Sequence, residues 1–134
     1  MMKQQRRFKD IGIGGRTARW YDKNTRKSRL AEMKDYAKEA SKYLNDGSSV
    51  LEIAPGPGYL TIELAKLGIC KKIIGLDISK DFVQIAQRNA KEAGVFETAE
   101  FRQGNVADMP FCIAAFKNFK EPFKALIQMY RVLN

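Results

Sequence analysis

Three short stretches place acidic, amide and glycine residues where a nucleoside could be held. The first is Glu52-Ile53-Ala54-Pro55-Gly56-Pro57-Gly58, between an apolar run and a helical pattern. Gly56 and Gly58 allow a ligand to approach the backbone closely. The helix beyond them offers free N–H groups and the positive end of its dipole. The second is Asp77, nineteen positions after Gly58, at the end of the apolar run KIIGLD. A carboxylate at that place can accept both hydroxyls of a ribose. The third is Asn105, just after AEFRQG. A blander reading stays open, in which the glycines serve a tight turn and Asp77 caps the helix that starts at Ser79. A pyrophosphate-binding loop needs a further glycine where Thr61 stands, and Ala54 occupies another customary glycine position. A phosphate-binding loop of the Gly-Lys-Ser/Thr type is absent from the sequence.

Such residues need strand ends and helix starts to hold them. Apolar spacing predicts a helix over Leu30–Leu44, stopped by Asn45-Asp46-Gly47. Ser49–Ala54 reads as a buried strand and Pro55–Gly58 as a turn. Tyr59–Leu67 reads as a helix with Gly68 just past its end. Lys72–Asp77 is a second strand, and Ser79 caps a helix running to Ala93. Ala99–Gly104 is a third strand, Asn105–Phe111 a loop, and Glu121–Leu133 a final helix. Residues 1–29 show no clear period, and Gly12, Gly14 and Gly15 argue against an early helix. Trp20 and Tyr21 suggest that part of this arm docks. Alternating strands and helices predict an α/β fold with a parallel sheet, and ligands beyond the carboxyl ends of its strands.

Composition removes several chemistries. The 134 residues contain no His, which excludes His-based acid–base pairs, triads and His metal ligands. Cys70 and Cys112 make no zinc spacing, and no metal is implied. They read as free buried thiols in a reducing compartment, so a cytoplasmic protein is expected. No apolar run approaches a membrane span of about 20 residues. The net charge is +9 and it is uneven. Residues 1–48 hold 13 Lys and Arg against 6 Asp and Glu, and residues 49–134 hold 11 against 9. The basic arm is either a solvated tail or a surface for an anionic partner.

The stretches VLEIAPGPGYLTIELAK (50–66), IIGLDIS (73–79) and FRQGNVADMPF (101–111) resemble the first three motifs of class I S-adenosylmethionine-dependent methyltransferases. The similarity is greatest to the type-11 group, over roughly residues 30–134, with 1–29 as a basic N-terminal arm. The resemblance implies S-adenosyl-L-methionine as cofactor and a Rossmann-like sheet. It implies that Glu52 and the backbone of Ala54, Pro55, Gly56, Pro57 and Gly58 hold the methionine part, and that Asp77 accepts the ribose hydroxyls. Ile78 and Phe82 would border the adenine, with Asn105 and the Val106 N–H at its edge. Trp20 and Tyr21 of the arm would close over the sulfonium, where an aromatic face favours a cation. Tyr21 and Lys117 are the residues nearest the expected methyl position, and no catalytic base is assigned.

Two departures from the family pattern shape the functional expectation. Phe111 is followed directly by CIAAFKN, so an acidic turn and most of a fourth strand are missing from the pattern. Family members also continue beyond the position of Asn134 into further strands. The expected result is a truncated parallel sheet of about three strands, with one crevice wall lacking and an apolar edge at Val50, Leu51 and Ile53 that recruits a second copy. The function expected is methyl transfer to a small-molecule acceptor, impaired by truncation. The alternatives are a non-enzymatic, oligomeric remnant and an RNA methyltransferase. Against the last, the Asn-aliphatic-Pro-aromatic tetrapeptide of RNA adenine methyltransferases is absent.

Overall fold

The structure, a computed structural model, describes residues 13–105. Its elements are α1 (Gly15–Ser41), β1 (Ser48–Ile53), α2 (Tyr59–Lys66), β2 (Cys70–Asp77), α3 (Lys80–Glu92) and β3 (Ala99–Gln103). The strands form one parallel sheet in the order β1-β2-β3. The α/β class, the parallel pairing and the elements from Ser48 onward agree with the sequence reading. The segment after Phe111, and the helix read over Glu121–Leu133, lie outside the described residues.

The first helix differs from its expectation. It begins at Gly15, not at Leu30, and Gly14 and Gly15 lie at its start instead of preventing it. The apolar period is missing because the buried positions of its first half are Ala18 and Asp22. Only from Met33 and Ala37 onward does that stripe become recognisably apolar. Gly14 offers no side-chain cap, and α3 supplies one instead. The Gly15 N–H donates to Asp81 Oδ2 at 2.6 Å, and the Ser79 hydroxyl donates to the Ile13 carbonyl at 2.5 Å. Ser79 Oγ also accepts from the Phe82 N–H, as the helix cap that the sequence predicts.

Asp22 is the polar anchor between α1 and the rest. It is buried, and its Oδ1 accepts from the Tyr59 hydroxyl of α2 at 2.5 Å and from Asn89 Nδ2 of α3 at 3.3 Å. Arg26 and Arg88 reach its Oδ2 at 3.1 and 3.0 Å. The same Asn89 amide donates to the Pro57 carbonyl, which ties the glycine turn to this cluster.

The register explains where the turn sits. Val50, Ile73 and Ala99 form one row across the sheet, and Glu52, Gly75 and Phe101 form the next row on the same face. Phe101 is buried and lies against Gly75 and Gly58. A Cβ on Gly75 would come within 2.6 Å of the Phe101 ring and 2.9 Å of Pro55. A Cβ on Gly58 would come equally close to Phe101, and its φ of +84° favours glycine in any case. Both glycines let the ring and the turn pack together. Gly75→Ala is expected to overpack this layer and lower stability by about 1–3 kcal/mol, read as a reduced urea midpoint at unchanged slope.

Candidate functional site

At the carboxyl ends of β1 and β2 a cavity of about 400 Å³ opens under α1. That volume is within the usual range for small-molecule sites. From the sheet side it is lined by Glu52, Ala54, Pro55, Gly56 and Asp77, and from α3 by Phe82. Tyr21, Arg29 and Met33 of α1 close it from above, with Ile13 at its rim. With Pro57 of the turn, eight of the sequence-assigned residues thus meet around one space. Gly58 lies behind it, packed on Phe101. Ile78, half-buried, and Asn105 do not line it. Val106 and Lys117 lie outside the described residues. Trp20 is 63% exposed and does not line the cavity, whereas the Tyr21 ring meets Phe82 edge-on at 5.9 Å.

The Asp77 carboxylate organises the turn. Its Oδ2 accepts from the Gly56 N–H and its Oδ1 from the Ser79 N–H, both at 2.9 Å. The bland reading of Asp77 as a local cap is therefore correct as far as Ser79 goes. It does not exhaust the group, because an ionised carboxylate has about four acceptor positions. One remains on each oxygen, at the wall of the cavity. A Cβ on Gly56 would touch nothing within 4 Å, so the backbone there is open to close approach.

Glu52 is buried beneath the turn and accepts from the Thr61 hydroxyl of α2. Burial pushes its carboxyl up to about 7. The hydroxyl and N–H of Thr61 offset part of that rise, and the nearby Asp77 charge adds to it. The residues that the sequence did not flag are Ile13, Arg29, Met33, Tyr59 and Leu60. Arg29 falls just outside the helix predicted over Leu30–Leu44, and Met33 reads as part of that helix's apolar face. Leu60 and Tyr59 looked like ordinary helix core. Cys70 is buried, and burial raises its thiol to about 11, which suits an inert packing role. Among the described residues no helix is long and apolar enough to cross a membrane.

A family model described as a methyltransferase domain matches residues 44–134. The chain belongs to the class I S-adenosylmethionine-dependent methyltransferase family. The demethylmenaquinone methyltransferase of Lactiplantibacillus plantarum is 32% identical over 104 residues, which cover 70% of this chain and 44% of that protein. The ribosomal protein L11 methyltransferase of Dictyoglomus thermophilum is 43% identical over 65 residues, 48% of this chain and 21% of that one. An RNA methyltransferase from Salinibacter ruber, solved in complex with S-adenosyl-L-homocysteine, is similar in fold with a TM-score of 0.50. It is 28% identical, over 63% of this chain and 52% of that one. The chain spans less than half the length of these two curated relatives.

One detail of the methyltransferase turn is strained. Ala54 takes φ +56° while its N–H donates to the Leu76 carbonyl at 2.8 Å. A left-handed alanine costs about 1–2 kcal/mol. Glycine would relieve that, less about 0.4–1 kcal/mol for its freer unfolded chain. Ala54→Gly is expected to raise stability by about 0.5–1 kcal/mol in urea denaturation.

Glu52 gives a pH signature. Its folded pKa of about 7 exceeds the ordinary value of 4.5, so between these limits the native state holds a proton that the unfolded chain has lost. The contribution of this group to stability is full below about pH 4.5 and is lost as pH rises through 7. The slope is at most about 1.4 kcal/mol per pH unit. Glu52→Gln removes the titration. Its stability is expected to change less between pH 5 and 8 than that of the wild type, in parallel urea titrations at both pH values.

Proposed function

We propose that this chain holds S-adenosyl-L-methionine in the cavity under α1 and serves methyl transfer to a small-molecule acceptor. The observation that carries the reading is the Asp77 carboxylate, fixed by two backbone N–H groups with acceptor capacity left on both oxygens. A pair of ribose hydroxyls matches that capacity. The open backbone at Gly56 and the apolar Phe82 and Leu60 suit the remaining parts of a nucleoside thioether. When bound, the cofactor supplies an electrophilic methyl group on a sulfonium.

The chain's own residues then have separate tasks. Asp77 orients the ribose end and holds the turn that shapes the floor. Arg29 is the one cation among the described residues lining the cavity, so it would take a carboxylate at the amino-acid end. Its guanidinium already donates to Glu32 at 2.8 Å, which leaves further N–H groups on its fork. Tyr21 and Met33 cover the space and exclude water. The 70% coverage by a relative named for demethylmenaquinone supports an acceptor of small-molecule type.

Titration calorimetry with S-adenosylhomocysteine tests the reading. Asp77→Ala is expected to weaken binding by about two to four decades, since charge-assisted hydrogen bonds to two hydroxyls are lost. Arg29→Met is expected to weaken S-adenosylhomocysteine about tenfold and to leave 5′-methylthioadenosine, which has no amino-acid end, unchanged. Equal binding by wild type and Asp77→Ala would sink the proposal.

A further inference from the structure

The cavity side of α1 is one of two chemically distinct faces. The other looks outward, away from Tyr21 and Met33, and it is densely cationic. Between Gly15 and Lys27 the helix carries Arg16, Arg19, Lys23, Arg26 and Lys27. Its single acid in that stretch is Asp22, which is buried and turned toward α2 and α3. Arg16, Arg19, Lys23 and Lys27 are exposed and recur at i, i+3, i+7 and i+11, so they form one stripe along the helix. Trp20 lies within that stripe, 63% exposed.

Beside the stripe, a groove of about 400 Å³ runs between α1 and α3, bordered by Arg19, Lys23, Arg26 and Arg88 with Asp22 at its base. Asp22 and Glu92 serve Arg26 and Arg88. Among the described residues, no carboxylate lies within ion-pair distance of Arg19 or Lys23. The groove therefore keeps a positive excess.

We propose that this face binds a single-stranded nucleic acid, with the backbone along the cationic stripe and a base stacked on Trp20. Cations interleaved with an exposed aromatic are what single strands require: charge for the phosphates and a flat apolar platform for a base. A membrane surface fits less well. An interfacial helix buries a continuous apolar face, whereas Trp20 here is flanked at every neighbouring exposed position by charged or polar groups. A purely acidic protein partner would leave the exposed indole without a task. The proposal goes beyond cofactor binding and concerns a surface that shares no residue with the cavity.

Trp20 is the only tryptophan of the chain, so its emission reports on this face alone. The full chain is titrated with a fluorescein-labelled oligouridylate and followed by anisotropy. A parallel titration with unlabelled oligouridylate follows tryptophan fluorescence. The expected result is binding with quenched Trp20 emission, and an affinity that falls with salt by about 0.7 of a log unit per log unit for each phosphate neutralised. Trp20→Ala should weaken binding about tenfold at an unchanged salt slope. Arg19→Ala with Lys23→Ala should reduce that slope by about 1.4. Lys71→Ala with Lys72→Ala, at the start of β2 and away from the stripe, should bind as the wild type does. Matching thermal melts confirm that each variant is folded. The proposal is overturned if no anisotropy change appears at about 50 mM salt. It also falls if the Trp20 and Arg19/Lys23 variants bind like the wild type. A blue shift with phosphatidylglycerol vesicles, without quenching by RNA, would assign the face to membranes instead.

Discussion

Burying one carboxylate fixes much of this molecule. Asp22 sits in a low-dielectric contact where an unpaired charge would cost several kcal/mol. It is tolerated because a tyrosine hydroxyl, an asparagine amide and two guanidinium groups converge on it. Those partners come from α1, α2 and α3, so satisfying the charge requires all three helices to be in register. The asparagine amide also holds the Pro57 carbonyl. The position of the glycine turn therefore follows from the same hydrogen-bonded cluster.

A second carboxylate, Asp77, repeats this logic at smaller scale. It joins the turn after β1 to the start of α3 through two backbone N–H groups. The apolar packing of Phe101 on Gly58 and Gly75 then presses the same turn from below. Polar fastening above and ring packing below leave the turn little freedom. A site built in this way is shaped before any ligand arrives, which lowers the ordering cost of binding.

From Ser48 to Gln103 the fold was legible in the sequence, because buried strands there are apolar runs and helices end at Gly68 and Gly94. The sheet-side half of the site was legible for the same reason: Glu52, Gly56 and Asp77 stand at strand ends. The α1 half was not. Its inward stripe begins with Ala18 and Asp22, and no apolar periodicity marks a helix whose core contacts are polar. Arg29 and Met33 were not assigned to the cavity, because nothing in the sequence places this helix over the strand ends. Trp20 and Tyr21 looked alike as aromatic neighbours, yet adjacent positions on a helix are about 100° apart and cannot share a face. One packs on Phe82 and the other points to solvent.

The clamp of Ser79 and Asp81 on Ile13 and Gly15 joins positions 66 residues apart. During synthesis the first helix emerges from the ribosome well before the residues that cap it. It cannot complete its N-terminal turn or neutralise its buried acid until α3 has been made. Contacts of such separation slow folding, since the intervening chain must be ordered before they form. The first helix is thus locked only after α3 exists, and the cavity that it roofs closes no earlier than that.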